Sequence, residues 1–341
     1  MKEQTSGTKL VEVPVTDAVG MRLAHDLTQI IPGEFKGRLF KKGHLITEDD
    51  IPKLLDIGKE HIYIMELAPD ELHEDDAAHR MAAALAGEAM TMTEPHEGKV
   101  SLKSDILGMA EIDRELVDEI NRLGEIALAT VRTHAVVKPG QPLAATRVIP
   151  LYVKDDKIAE VERLAAAYRQ RNQGGGPLRI RPFRPFRVGL LTTGGEVFSG
   201  RIQDKFGPAV RAKIAEFGSE VIEQRFAPDD RQTIVKEIRC LLDKGYDMIL
   251  VTGGMSVDPD DRTPAAIRDA GAELVSYGTP MLPGSMLLMG YIDAVPILGL
   301  PGCVMHDPYT SFDVLLPRIL AGDTIVKEDI VNLGYGGLLG C

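Results

Sequence analysis

From Arg187 onward the chain alternates apolar, β-branched runs with capped helical segments, and this alternation constrains the fold more than any other feature. Residues 188–192 read as a strand, 204–217 as a helix ended by Gly218, and 221–223 as the next strand. Asp229, with Gln232 at the reciprocal capping-box position, predicts a helix that ends at Gly245, before a third strand over 248–252. Thr263 followed by Pro264 reads as an N-cap and a first-turn proline, opening a helix that stops at Gly271. Such a βαβαβ series predicts an α/β fold: a three-layer α/β/α domain over 187–325 with a mostly parallel sheet. Ligands of these sheets sit at the carboxyl ends of strands, so the loops after Thr192 and Thr252 carry the functional reading.

At 341 residues the chain is too long for one ordinary core, and two or three domains are expected. The clearest seam is Gln173-Gly174-Gly175-Gly176-Pro177, followed by an arginine-rich stretch holding Pro182 and Pro185. We read 174–186 as a linker able to hold neither helix nor central strand. Upstream, 11–15 and 61–65 read as strands and 48–55 as a short helix stopped at Gly58, which makes 1–68 a small, mostly β unit. Helices over 77–86 and 158–168, with strands over 99–102 and 126–131, make 69–173 an α+β unit.

Apolar residues at 44% and charged residues at 26% exclude wholesale disorder. No window approaches the ~18 consecutive apolar residues of a membrane span, and the polar start Met1-Lys2-Glu3-Gln4 has no apolar stretch behind it, so a cytoplasmic protein without a membrane partner is expected. A net charge of -12 excludes a phosphate-neutralising surface over most of the chain. The one dense basic run, Arg169 to Arg187, reads as a solvated hinge, so no nucleic-acid partner is expected. Cys240, Cys303 and Cys341 are widely spaced and form neither a disulfide framework nor a CxxC zinc site.

Two predicted strand ends carry nearly the same punctuation, Thr192-Thr193-Gly194-Gly195-Glu196 and Val251-Thr252-Gly253-Gly254-Met255-Ser256. Paired glycines let backbone approach an oxyanion, and the flanking Thr and Ser offer hydroxyls, so together the loops read as a phosphate cradle. Neither is a GxGxxG or a GxxxxGK[ST]. After the second loop, Asp258, Asp260 and Asp261 precede a helix start. One carboxylate would satisfy the helix dipole; three beside a phosphate would repel it unless a divalent cation intervened, and magnesium uses one or two carboxylates plus substrate phosphates.

Together with Pro283-Gly284-Ser285 and Gly299-Leu300-Pro301-Gly302, these motifs resemble in order and spacing the MoeA/MogA-type molybdopterin-binding domain, and the whole chain is similar to stand-alone bacterial proteins bearing it. The resemblance implies a protein of molybdenum-cofactor biosynthesis that binds the phosphate of molybdopterin, or of its adenylylated form, with Mg2+. It implies cofactor-binding roles for Thr193, Gly194, Gly195, Thr252, Gly253, Gly254, Ser256, Pro283, Gly284, Ser285, Pro301 and Gly302. Glu196 and Asp261 would be catalytic, and Asp258, Asp260 and Asp261 would hold the metal. Leu282 and Ser285 stand where the family's two-domain molybdotransferases carry lysines, which weighs toward binding over molybdate insertion. An adenylyl- or molybdotransferase-like enzyme, a non-catalytic carrier or sensor docking on a molybdoenzyme, and a metal-dependent nucleotide pyrophosphatase all stay open. The resemblance also implies a homo-oligomer, a dimer or trimer.

Other features have plainer readings. His73 and His79 are six apart, not the four that HExxH needs, so this stretch reads as a solvated acidic helix start, with a weak His73–Asp76 metal site as the alternative. Cys303 reads as a small buried hydrophobe, or as a thiol facing the pterin. His306 and Asp307 read as opening the last helix, with ligand contact through His306 as the alternative, and Lys36, Arg38, Lys41 and Lys42 as surface charge. The closing Gly336-Gly337-Leu338-Leu339-Gly340-Cys341 reads as too short and flexible to interpret.

Overall fold

The computed structural model of the protein describes residues 9–31, 35–256 and 262–339. Its contacts divide the chain into two compact units: Met1–Asp105 with Ala110–Thr133 and Val137–Ile180, and Ile106–Met109 with His134–Val136 and Arg181–Cys341.

In the first unit, strand Lys9–Pro14 pairs antiparallel with His61–Glu66, which also pairs with Arg22–Leu23. A hairpin of Leu27–Ile31 and Phe35–Phe40 stands beside them. Val15, Leu23, Ile46, Leu54 and Ile62 form the core here. Further along, helix Glu74–Leu85 buries Met81, Ala82 and Leu85, and lies against the sheet strands Lys99–Ser104 and Pro142–Val148. Helices Arg114–Arg122 and Asp155–Arg171 complete the unit.

The second unit contains a six-stranded sheet. Its strands are β1 (Arg187–Thr193), β2 (Glu220–Ala227), β3 (Met248–Thr252), β4 (Glu273–Tyr277), β5 (Leu288–Ile292) and β6 (Val295–Leu300), in the order β2-β1-β3-β6-β5-β4. The β2–β1, β1–β3 and β3–β6 pairs are parallel, and the β6–β5 and β5–β4 pairs are antiparallel. The helices are α1 (Gly195–Phe198), α2 (Phe206–Ala215), α3 (Arg231–Asp243), α4 (Thr263–Asp269), α5 (Ser311–Leu320) and α6 (Lys327–Asn332).

The central strands are buried on both faces, which is why they read as continuous apolar runs. Val188 and Leu190 of β1 with Met248 and Leu250 of β3 pack against Val210 and Ile214 of α2 and Phe312, Leu315 and Leu316 of α5. The alternate residues Leu191, Ile249 and Val251 pack against Ile234, Ile238 and Leu241 of α3 and Ile267 of α4. Each such side chain contributes about 1.5–3 kcal/mol when fully buried. Three layers, α/β/α, result.

Several local expectations shift. The N-cap of α3 is Asp230, whose Oδ2 accepts the Thr233 N–H at 2.8 Å, not Asp229. Helix α4 has Arg262 at its N-cap, so Thr263 is its first helical residue. Thr310, not His306 or Asp307, caps α5 through a capping box with Asp313; residues 302–305 form a separate 3₁₀ turn. Within the expected linker, Leu178–Pro182 is a strand, at the edge of a small three-stranded sheet, where a proline is tolerated.

The arginines of that stretch are only partly solvated: Arg181 pairs with Asp323 at 2.5 Å and Arg179 pairs with Glu111, while Arg171, Arg184 and Arg187 are exposed. His73 is 1% exposed rather than solvated, and it caps helix Glu74–Leu85 by accepting the Asp75 N–H through Nδ1. Asp76, its partner in the alternative metal reading, is paired with Arg22 at 3.0 Å. Cys303 is half-buried. The glycine-rich end is ordered through Leu339, which donates its N–H to the Leu282 carbonyl at 2.9 Å, while the Leu282 N–H reaches the Gly337 carbonyl at 2.8 Å. No helix among the described residues is long and apolar enough to cross a membrane.

Candidate functional site

Strand direction brings four sequence motifs to one edge of the sheet. The parallel strands β1, β2, β3 and β6 all end there, at Thr193, Ala227, Thr252 and Leu300. In the antiparallel pair, Leu288 of β5 lies opposite Gly299 of β6 and Tyr277 of β4, so the 278–287 loop with Pro283, Gly284 and Ser285 emerges at the same edge.

The two Gly-Gly turns touch. A Cβ added to Gly253, which has φ +87°, would lie 2.1 Å from the Thr193 carbonyl oxygen, so only glycine lets the loop after β3 press on the end of β1. A buried hydroxyl network fixes this approach from below. Thr193 Oγ1 donates to the Thr252 carbonyl at 3.2 Å and lies 3.0 Å from Thr263 Oγ1, while Thr252 Oγ1 donates to Thr192 Oγ1 at 3.2 Å. The Thr193 and Thr252 hydroxyls thus bond within the protein.

The two turns also differ in their backbone donors. The Gly194 N–H is given to the Ala227 carbonyl at 3.1 Å, and the Gly195 N–H to Asp229 Oδ2 at 2.7 Å. Among the described residues, no acceptor stands against the Gly253 or Gly254 N–H. Asp229 Oδ1 would lie 3.7 Å from a Cβ at Gly254, so this carboxylate reaches toward both turns. Sequence reasoning placed Asp229 at the start of α3. The signal that could have relocated it is its neighbour Asp230, an equally good cap one residue closer to the helix.

The remaining residues are distributed along the same edge. Glu196 is exposed in the first turn of α1, and Ser256 is exposed just after the second turn. The Tyr277 hydroxyl donates to the carbonyls of Met255 at 3.0 Å and Ser256 at 3.3 Å, tying the β4 end to the loop after β3. Gly284 is held by Thr279 Oγ1 and Ser311 Oγ, which donate to its carbonyl at 3.0 and 2.7 Å. Pro301 is buried where β6 ends, with exposed Gly302 after it. Asp258, Asp260 and Asp261 lie outside the described residues. Among the described residues, no group of three or more His, Cys, Asp or Glu side chains could hold a metal ion. Glu196 and Asp229 are therefore not a metal centre on their own.

Residues 189–321 match the family model described as "Probable molybdopterin binding domain", and residues 12–66 match one described as "Domain of unknown function (DUF8806)". Over 90 residues, 26% of this chain, the sequence is 37% identical to a CinA-like protein of Mycobacterium avium, covering 21% of that protein. The chain thus spans about a fifth of the length of the curated relatives it matches. Among solved structures, the molybdopterin biosynthesis enzyme MoaB of Thermus thermophilus is 30% identical, with 40% of this chain and 98% of that one covered at a TM-score of 0.34. A MoeA protein from Pyrococcus horikosii is 16% identical, with 92% and 75% covered at a TM-score of 0.32. Residues 189–321 therefore belong to the molybdopterin-binding family of the MogA and MoeA type.

Proposed function

We propose that the carboxyl edge of the sheet binds the phosphate of molybdopterin, or of its adenylylated form, chiefly through the backbone N–H groups of Gly253 and Gly254. The observation that carries this reading is the contact of Gly253 with the Thr193 carbonyl. It joins the two glycine turns into one surface on which these N–H groups meet no acceptor among the described residues. Ser256 and Ser285 add hydroxyl donors at the same edge, and Pro283-Gly284 and Pro301-Gly302 shape the walls.

Asp229 and Glu196 put negative charge beside this cradle, and a phosphate there calls for a cation. Magnesium is proposed for that place, with Asp258, Asp260 and Asp261 as its carboxylate ligands. Reaction, where it occurs, is transfer at phosphorus, in which Glu196 and Asp261 take part and positioning with charge neutralisation does most of the work. The proposal extends to a cytoplasmic homo-oligomer that passes its pterin to a molybdoenzyme.

Titrating the full chain with molybdopterin, with and without Mg2+ and ATP, tests the reading. Adenylylated product marks a transferase, and tight binding without turnover marks a carrier or sensor. Release of AMP from simple nucleotides without pterin marks a pyrophosphatase. Absence of pterin binding under all these conditions overturns the proposal.

A further inference from the structure

Residues 333–339 follow α6 and run back along the 278–287 loop, which carries Pro283, Gly284 and Ser285. The base of this segment is fixed. Ile330 of α6 is buried in the same core as Leu315 and Leu316 of α5, and Lys327 Nζ donates to Ser276 Oγ of β4 at 3.1 Å. Beyond the base the side chains turn to solvent, with Tyr335 98% and Leu338 75% exposed. Apolar burial therefore does not hold the segment in place; its backbone does.

The grip falls on Leu282. Its N–H donates to the Gly337 carbonyl at 2.8 Å, and its carbonyl accepts the Leu339 N–H at 2.9 Å, so that Leu282 and Leu338 pair in parallel. Gly337 permits this approach. A Cβ there would lie 2.6 Å from the Pro280 carbonyl oxygen and closer still to that of Leu333.

The rest of the loop is tied to its own ends and to α5. The Gly278 N–H donates to the Leu287 carbonyl and the Thr279 N–H to the Ser285 carbonyl, both at 2.8 Å, and the Gly284 carbonyl accepts the Thr279 and Ser311 hydroxyls. Leu282 is exposed, and both of its main-chain polar groups bond to residues 337–339. The segment thus secures the outer limb of the loop, immediately before Pro283.

We propose that residues 334–339 are a positioning strap, which sets ligand affinity at the carboxyl edge of the sheet by holding Leu282 and, through it, the Pro283-Gly284-Ser285 turn. The inference rests on the proposed function. The strap acts through Leu282 and not on the ligand itself. A turn already fixed on both limbs need not be ordered when the ligand arrives, whereas one freed on its outer limb must be, and that ordering weakens binding. Because the hold is made by main-chain groups, it depends on the presence and close approach of the segment and not on the exposed side chains of Tyr335 and Leu338.

Amide hydrogen exchange and molybdopterin titration of three variants beside the full chain test this: a chain ended after Gly334, Gly337→Ala and Leu338→Ser. In the first two the Leu282 N–H should exchange about tenfold faster than in the parent, while the amides of β5 keep their protection. Pterin affinity should fall about tenfold in both, with the melting temperature of the shortened chain unchanged. Leu338→Ser keeps the backbone bonds and should match the parent in exchange and in affinity. Leu282 exchange as slow in the shortened chain as in the parent overturns the strap, and so does faster exchange with undiminished affinity. Lost protection across β5 would assign the effect to the fold as a whole and overturns it too. A parent chain that binds no pterin overturns the proposed function, and the positioning role with it, whatever the exchange at Leu282.

Discussion

The carboxylate of Asp229 accepts the backbone N–H of Gly195 at 2.7 Å, so the loop after β2 is fastened to the loop after β1 at the edge where the glycine turns meet. Asp229 is exposed and lies outside the packed core, and its loss removes one hydrogen bond to a charged acceptor. Asp229→Asn should therefore change stability by only about 1 kcal/mol. Its effect on ligand is expected to depend on the cation. With Mg2+ present, molybdopterin affinity should fall about tenfold, because a charge facing the metal is lost. In chelator, where the carboxylate only repels phosphate, the variant should bind as well as the parent or better. Paired titrations with and without EDTA measure both limbs, and equal losses in both would remove the metal from the reading.

Gly253 makes a sharper demand on the fold. A methyl group there would have to occupy space 2.1 Å from the Thr193 carbonyl oxygen, on a backbone with φ +87°. Gly253→Ala should cost about 1–2 kcal/mol from the left-handed conformation alone, before any displacement of the loop. The displacement adds the loss of the Thr193–Thr252 and Thr193–Thr263 contacts. A drop of about 3 kcal/mol in urea-denaturation stability is expected, with pterin binding abolished. A variant that binds normally would show that the cradle does not need this close approach.

How much of this was legible beforehand depended on how local the physics is. The strands β1 and β3 announced themselves because burial on both faces makes their central residues, 188–191 and 248–251, an apolar run, a property of the segment itself. Asp229 did not. It and Asp230 are both good caps, and only the extension of β2 to Ala227 leaves Asp230 beside α3 and turns Asp229 toward Gly195. Thr263 shifted for a similar reason, its hydroxyl engaging Thr193 seventy positions away. The ordering of 336–339 depends on backbone bonds to Leu282, and a glycine-rich string gives no sign of such a partner. His73 lies in an acidic, water-seeking sequence and yet is buried, because Gly43 allows the chain to close over its ring.

Asp50 provides a stability test in the first unit. It is 5% exposed, and its Oδ2 accepts from His44 Nε2 at 2.8 Å, Thr47 Oγ1 at 2.7 Å and Thr47 N at 3.1 Å; Lys53 Nζ donates to Oδ1 at 3.1 Å. Burial opposes its charge, but the bonds from His44, Thr47 and Lys53 outweigh it and hold the carboxyl well below the usual carboxylate range. A depressed folded-state value means stability that is fully present above the unfolded value near 4 and is lost as the pH falls below it. Asp50→Asn should cost about 1–3 kcal/mol at neutral pH. Denaturation at a series of pH values should show the gap between parent and variant narrowing below about pH 4. A gap that stays constant would assign the loss to packing.

His73 gives the acid limb at milder pH. Its Nδ1 accepts the Asp75 N–H at 3.2 Å, and its buried Nε2 has no partner among the described residues. Burial, aided by the charge of Arg22, pushes this imidazole below its ordinary value against the opposing pull of Asp75 and Asp76. The folded protein therefore holds His73 neutral while the unfolded chain protonates near pH 6.5, so stability is complete above that value and declines as the pH drops. Each withheld proton steepens the decline by about 1.4 kcal/mol per pH unit. Asn at this position keeps an acceptor for the Asp75 N–H but does not titrate, so His73→Asn should be less stable than the parent at pH 7.5 yet lose less between pH 6.5 and 5. His134, also pushed down by burial, titrates in both proteins and cancels in the comparison. Melting temperatures across this range measure the difference in slope, and parallel curves would mean that His73 takes up its proton without opening the fold.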